Sequence, residues 1–134
     1  MRDALHVRFR VDFGSQCSIG VGKIQLLEAI ARTGSLSKAA RTMHMSYRRA
    51  WLLLADLNTS FNRPVVETKT GGSGGGGAVL TPFGSRLIEG YRKLESGVQP
   101  LAKRLLIDVG RSVVDRSEKL VERASLTRRR AAAG

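Results

Sequence analysis

One cysteine, two histidines and 11 acidic side chains are few for 134 residues, and each scarcity removes a class of function. Cys17 has no partner for an intrachain disulfide. A lone thiol, with His6 and His44 far apart in sequence, makes no ligand set of zinc spacing, so neither metal nor cofactor is expected. No serine, histidine and acid fall into a grouping suited to nucleophilic catalysis, and an enzyme is not expected. No apolar run approaches the roughly 20 residues needed to cross a bilayer. The N-terminal residues alternate in character where a secretory signal would be continuously apolar, so a cytoplasmic protein with no membrane partner is expected.

Positive charge is abundant. Lys and Arg number 23, for a net charge of +12, and such an excess attracts polyanions, with nucleic acid the first to consider. The excess is uneven: residues 21–64 carry seven basic and two acidic side chains, and residues 111–134 carry seven and three. One folding unit is the default at this length, since domains commonly run to about 100–150 residues.

Leu5, Val7, Phe9, Val11 and Phe13 alternate with His6, Arg8, Arg10 and Asp12, the period-two pattern of a strand with one dry face. Gly14 to Gly20 then reads as a turn-rich connection. Ile24, Leu27, Ile30 and Ala31 recur at helical spacing from Val21 to about Thr33, and Gly34 is placed to stop that helix. Ser35 is a candidate N-cap for a short second helix, and Ser46 for a third that runs to about Phe61, before Pro64. Ala50, Leu53, Leu54 and Leu57 form the buried stripe of the third. Ala39 and Ala40 let the last two helices cross closely, with Met43, Ala50 and Leu54 filling the angle. Trp51 has two readings, a packing anchor between helices or an outward aromatic facing DNA.

Six of the seven residues from Gly71 to Gly77 are glycine. A phosphate-cradling enzyme loop would need a strand before it, a helix after it and a Gly-Lys-Ser/Thr ending, none of which fits. A domain linker fails too, because the short β-prone runs on either side would be left without partners. The glycines therefore read as the tip of a hairpin, either lying against a sugar-phosphate backbone or simply a mobile turn.

After Thr81-Pro82, a threonine cap with proline at the first helical position, a long helix is predicted over about 82–108. Leu87, Tyr91, Leu94, Val98, Leu101 and Leu105 are spaced as a heptad seam, which predicts a homodimer. The seam stays in phase across Gly97 and Pro100, so a kink is expected there and not an end. Residues 111–134 are expected as a basic, partly disordered extension, with Arg128, Arg129 and Arg130 adding electrostatic grip.

This order predicts a mostly α fold with a small β-sheet: a winged helix-turn-helix over residues 1–110, with an N-terminal strand, a β-hairpin wing and a long C-terminal dimerisation helix. In such a domain the N-terminal residues of the second helix of the motif lie in the major groove of DNA. Tyr47, Arg48 and Arg49 supply donors on that turn. The candidate DNA contacts are Ser35, Lys38 and Arg41 on the bracing helix, Ser46 to Arg49 on the recognition turn, and Lys69, Thr70, Gly72, Ser73 and Gly74 in the wing.

The stretch GKIQLLEAIARTGSLSKAARTMHMSYRRAWLLLADLN, followed by VVETKTGGSGGGGAVLTPFG, resembles the DNA-binding domain of the ModE family of molybdate-dependent regulators. The MSYRRAW turn and the GGSGGGGAVLT wing are its most specific parts, and RTGSLSKAA is shared in kind with LysR-type regulators. The resemblance covers about residues 5–106. It implies a homodimer on a palindromic operator, read by the turn starting at Ser46 and governing molybdate uptake or molybdenum enzymes. Family members continue into tandem molybdate-binding domains, whereas the residues after Leu106 are too few for even one small β-barrel. Molybdate sensing through a separate protein is therefore one implied partnership. The rival reading is a nonspecific or architectural nucleic-acid-binding protein, in which net charge alone does the binding.

Overall fold

The computed structural model describes residues 4–69 and 77–133, the side chains of residues 118 and 119 excepted. The chain divides into two compact units. One is Val7–Val98; the other joins the N-terminal residues through His6 to Gln99 and onward.

In the first unit, β1 (Val11–Phe13) pairs antiparallel with β2 (Cys17–Ile19), with Val11 opposite Ile19. The predicted alternation holds as far as Val11, since His6, Arg8 and Arg10 are exposed while Leu5, Val7, Phe9 and Val11 are half-buried, but Phe13, expected on the dry face, is exposed. Only its last three residues form a strand, however, and their partner lies in the segment expected to be a connection. Among the described residues the N-terminal strand thus belongs to a hairpin of its own and does not pair with the wing.

Helix α1 (Val21–Thr33) buries Ile24, Leu26, Leu27, Ala29 and Ile30. Gly34 ends it with φ 68°, a left-handed conformation that costs glycine little, and its N–H donates to the Ile30 carbonyl at 2.8 Å. Helix α2 (Leu36–Thr42) begins at once, because the Ser35 hydroxyl accepts from the Lys38 N–H at 3.3 Å. His44 adopts φ 54° in the turn that follows, and α3 (Tyr47–Ser60) starts where the Ser46 hydroxyl accepts from the Arg49 N–H at 3.1 Å. Ala39, Ala40, Ala50 and Leu54 are all buried where α2 and α3 meet, the close crossing that short side chains permit.

The wing is β3 (Val66–Lys69) paired with β4 (Gly77–Leu80), in a register that sets Val66 opposite Leu80 and Lys69 opposite Gly77. The runs on both sides of the glycines are thus one hairpin. Two fixings hold it to the helices. The Ala78 N–H donates to the Gly34 carbonyl at 2.9 Å, and the Asn58 side chain accepts from the Val65 and Val66 N–H groups at 2.8 and 3.2 Å while donating to the Val66 carbonyl.

Helix α4 (Pro82–Arg111) opens on the Thr81 hydroxyl, which accepts from the Gly84 N–H at 3.0 Å and donates to the Pro64 carbonyl at 2.8 Å. A Cβ on Gly84 would stand 2.3 Å from the Val65 carbonyl oxygen, so only glycine lets α4 approach the wing's base this closely. The helix continues through Gly97 and Pro100. Tyr91, expected on a dimer seam, is instead buried in its own unit at 4 % exposure. Its ring stacks on Phe9 at 4.7 Å and its hydroxyl donates to the Phe9 carbonyl at 2.9 Å. Burial pushes that hydroxyl's pKa above its ordinary value, and Glu95 adds to the effect.

In the second unit the Gln99 side chain donates to the Leu5 carbonyl. The basic extension, expected to be partly disordered, carries α5 (Arg116–Ala133), whose described side chains are all exposed. Arginine, alanine, leucine and glutamate are good helix formers, which accounts for a helix without a buried face.

Candidate nucleic-acid interface

The helix-turn-helix sets its cations apart from every acid in the chain around it. No acidic residue lies between Glu28 and Asp56 in sequence. Glu28 itself is occupied by Arg92, whose guanidinium meets it at 2.6 Å and Glu95 at 2.8 Å. Those two carboxylates, by accepting hydrogen bonds, raise the Arg92 pKa and fix α4 against α1. Asp56 is likewise held by Lys23 at 2.6 Å, and Lys23 also donates to the Ser18 carbonyl. Among the described residues, no carboxylate pairs with Lys38, Arg41, Arg48, Arg49 or Lys69, all of which are exposed.

The sequence-predicted residues fall into groups. Lys38 and Arg41 project from α2, and Tyr47, Arg48 and Arg49 form the first turn of α3. Ser35 and Ser46 act first as helix caps, each using an oxygen lone pair on a backbone N–H. Lys69 ends β3 and lines, with Tyr47 and Trp51, a cleft of about 320 Å³ between α3 and the wing. Leu36, Leu54 and Ala78 contribute to its walls, with Asn58 and Thr68. Thr70, Gly72, Ser73 and Gly74 lie outside the described residues.

The predicted dimer seam separates into inward and outward members. Leu87 packs on the core with Tyr91, Val98 is half-buried, and Leu94, Leu101 and Leu105 are exposed. Trp51 takes the outward of its two placements, at 52 % exposure. Asn58, which ties the wing to α3, was not singled out from sequence, and neither was Gly84. An asparagine near a helix end and a glycine within a first turn carry no local sign of a partner distant in sequence.

Comparison with known proteins agrees with this geometry. Residues 21–85 match the model for the bacterial regulatory helix-turn-helix protein, lysR family. They form a LysR-type helix-turn-helix domain. That span takes in α1, the bracing and recognition helices, the wing and the start of α4. Among curated proteins, the LysR-type domain is similar to the molybdenum-pterin-binding protein MopB of Rhodobacter capsulatus, 47 % identical over 83 residues, or 62 % of this chain and 31 % of that protein. It is also similar to the molybdenum transport protein ModE of Azotobacter vinelandii, 37 % identical over 98 residues, or 73 % of this chain and 36 % of the relative. The DNA-binding transcriptional dual regulator ModE of Escherichia coli (strain K12) is 46 % identical over 69 residues, covering 52 % and 26 % respectively. The expected resemblance to ModE proteins is borne out, and the chain spans about a third or less of the length of these relatives. No helix among the described residues is long and apolar enough to cross a membrane.

Proposed function

We propose that this chain is a sequence-specific DNA-binding transcriptional regulator. It acts in the cytoplasm as a homodimer on a palindromic operator and serves genes of molybdate transport or molybdenum enzymes. The observation that carries the DNA reading is the acid-free leading turn of α3, where Tyr47, Arg48 and Arg49 stand exposed and no carboxylate pairs with either arginine among the described residues. Arg48 and Arg49 offer bidentate forks to guanine edges or phosphates, while Lys38 and Arg41 serve as phosphate clamps that fix register without reading sequence. Lys69, at the end of β3, adds charge toward the sugar-phosphate backbone, and Thr70, Gly72, Ser73 and Gly74 are the wing residues proposed to contact it. The exposed leucines of the seam, Leu94, Leu101 and Leu105, support pairing of two copies. The molybdate link draws on the relatives' names, and sensing through a separate protein remains within this reading.

Selection of bound duplexes from random DNA, with and without molybdate, tests specificity and effector response together. An enriched palindrome is the expected result. Recovery of no common sequence would favour a charge-driven architectural binder instead.

A further inference from the structure

The outward surface of α3 is more apolar than a phosphate-gripping helix requires. Ala50, Leu54 and Leu57 are its buried stripe. At about 100° per residue, Arg48 and Leu52 lie opposite that stripe, with Trp51 next to Arg48 on the side of the wing cleft and Tyr47 beyond it, nearer the stripe. Leu52 is 51 % exposed and Tyr47 55 %, so with Trp51 three large apolar side chains crowd two helical turns. Single exposed apolar residues are ordinary, but Trp51 and Leu52 follow one another in the chain and flank Arg48 on the helix surface, so they are not isolated. The charge around it selects the partner: no acid occurs from residue 29 to residue 55, and Arg48 sits within the group, which points to a polyanion that also presents apolar groups. In the major groove of DNA that apolar group is the C5 methyl of thymine.

We infer that Trp51 and Leu52 read thymine by packing on its C5 methyl groups beside Arg48, a specificity determinant that rests on the regulator reading above. Tryptophan suits the role because its large rigid face loses little freedom on contact. The fork of Arg48 selects guanine, and the apolar pair adds discrimination at neighbouring thymines.

The probe is a duplex selected by the whole chain from random DNA, remade with deoxyuridine in place of thymidine, which removes only the methyl. The unaltered chain should bind the uracil duplex about fourfold more weakly per contacted methyl, the value of one buried carbon. Trp51→Ala and Leu52→Ala should each shrink that ratio, and the double variant should bind both duplexes alike. Circular dichroism and melting temperature should stay unchanged, because both side chains are more than half exposed. Equal affinity of the unaltered chain for the two duplexes overturns the inference, and so does a methyl effect undiminished in the double variant. A double variant that melts lower and loses affinity for every duplex in proportion assigns the pair to packing and also overturns it. Failure of the regulator reading looks different: selection enriches no sequence, and the inference falls with it.

Discussion

Two sets of cations in the same compact unit have opposite surroundings. Lys23 and Arg92 are held by Asp56, Glu28 and Glu95, and they tie α1 to α3 and α4 to α1. Lys38, Arg41, Arg48 and Arg49 stand in the acid-free run between Glu28 and Asp56, and among the described residues no carboxylate pairs with them or with Lys69, although Glu67 is exposed on the same strand as Lys69. Net charge alone does not reveal this division; it depends on where the acids fall, which is at the helix contacts and not between Glu28 and Asp56. Lys23 and Arg92 are used in holding helices together, and on the reading proposed above the cations of α2 and of the leading turn of α3 keep their charge for DNA.

The wing that carries Lys69 is held at its base by the close approach of α4, and Gly84→Ala breaks that support most severely. A methyl 2.3 Å from the Val65 carbonyl must displace backbone, costing about 3 kcal/mol as overpacking does, seen as a lower melting temperature. Next in size is Arg48→Ala, which should cost about 2 kcal/mol of affinity for a selected duplex with the melting temperature unchanged. Arg92→Ala is its mirror image. It should lower stability by roughly 1 kcal/mol, because the ion pairs it breaks are partly exposed, yet leave the affinity of the folded protein for DNA unaltered. If thermal melts and binding titrations gave these two variants the same profile, the division between paired and unpaired cations would be empty. The smallest effect is expected from Lys38→Ala with Arg41→Ala. Binding to every duplex should weaken, and the slope of log K against log salt should fall by about 0.9 per lost phosphate contact.

Much of this architecture was legible because its signals are local. Gly34, Ser35, Ser46 and the Thr81-Pro82 pair each act within one turn of chain, and each stands where its helix boundary was expected. The leading turn of α3 was legible for the same reason, since a capping serine places the next three residues at the helix mouth. The departures come from partners distant in sequence. Heptad spacing put Tyr91 on a seam but could not reveal that Phe9, 82 residues away, covers it. Alternation identified the dry face of the N-terminal segment, while Cys17–Ile19, its ladder partner, lay hidden among turn residues. Trp51 and Leu52 sit within a leucine-rich run whose composition says core, and only the buried stripe of α3 shows which of them turn outward.

The central claim is that the acid-free turn at Tyr47, Arg48 and Arg49 reads base sequence. Competition between a selected duplex and a random one of equal length, at fixed salt, measures it most directly. The account predicts that the whole chain binds the selected duplex about a thousandfold or more tightly. Equal affinity for the two would contradict it.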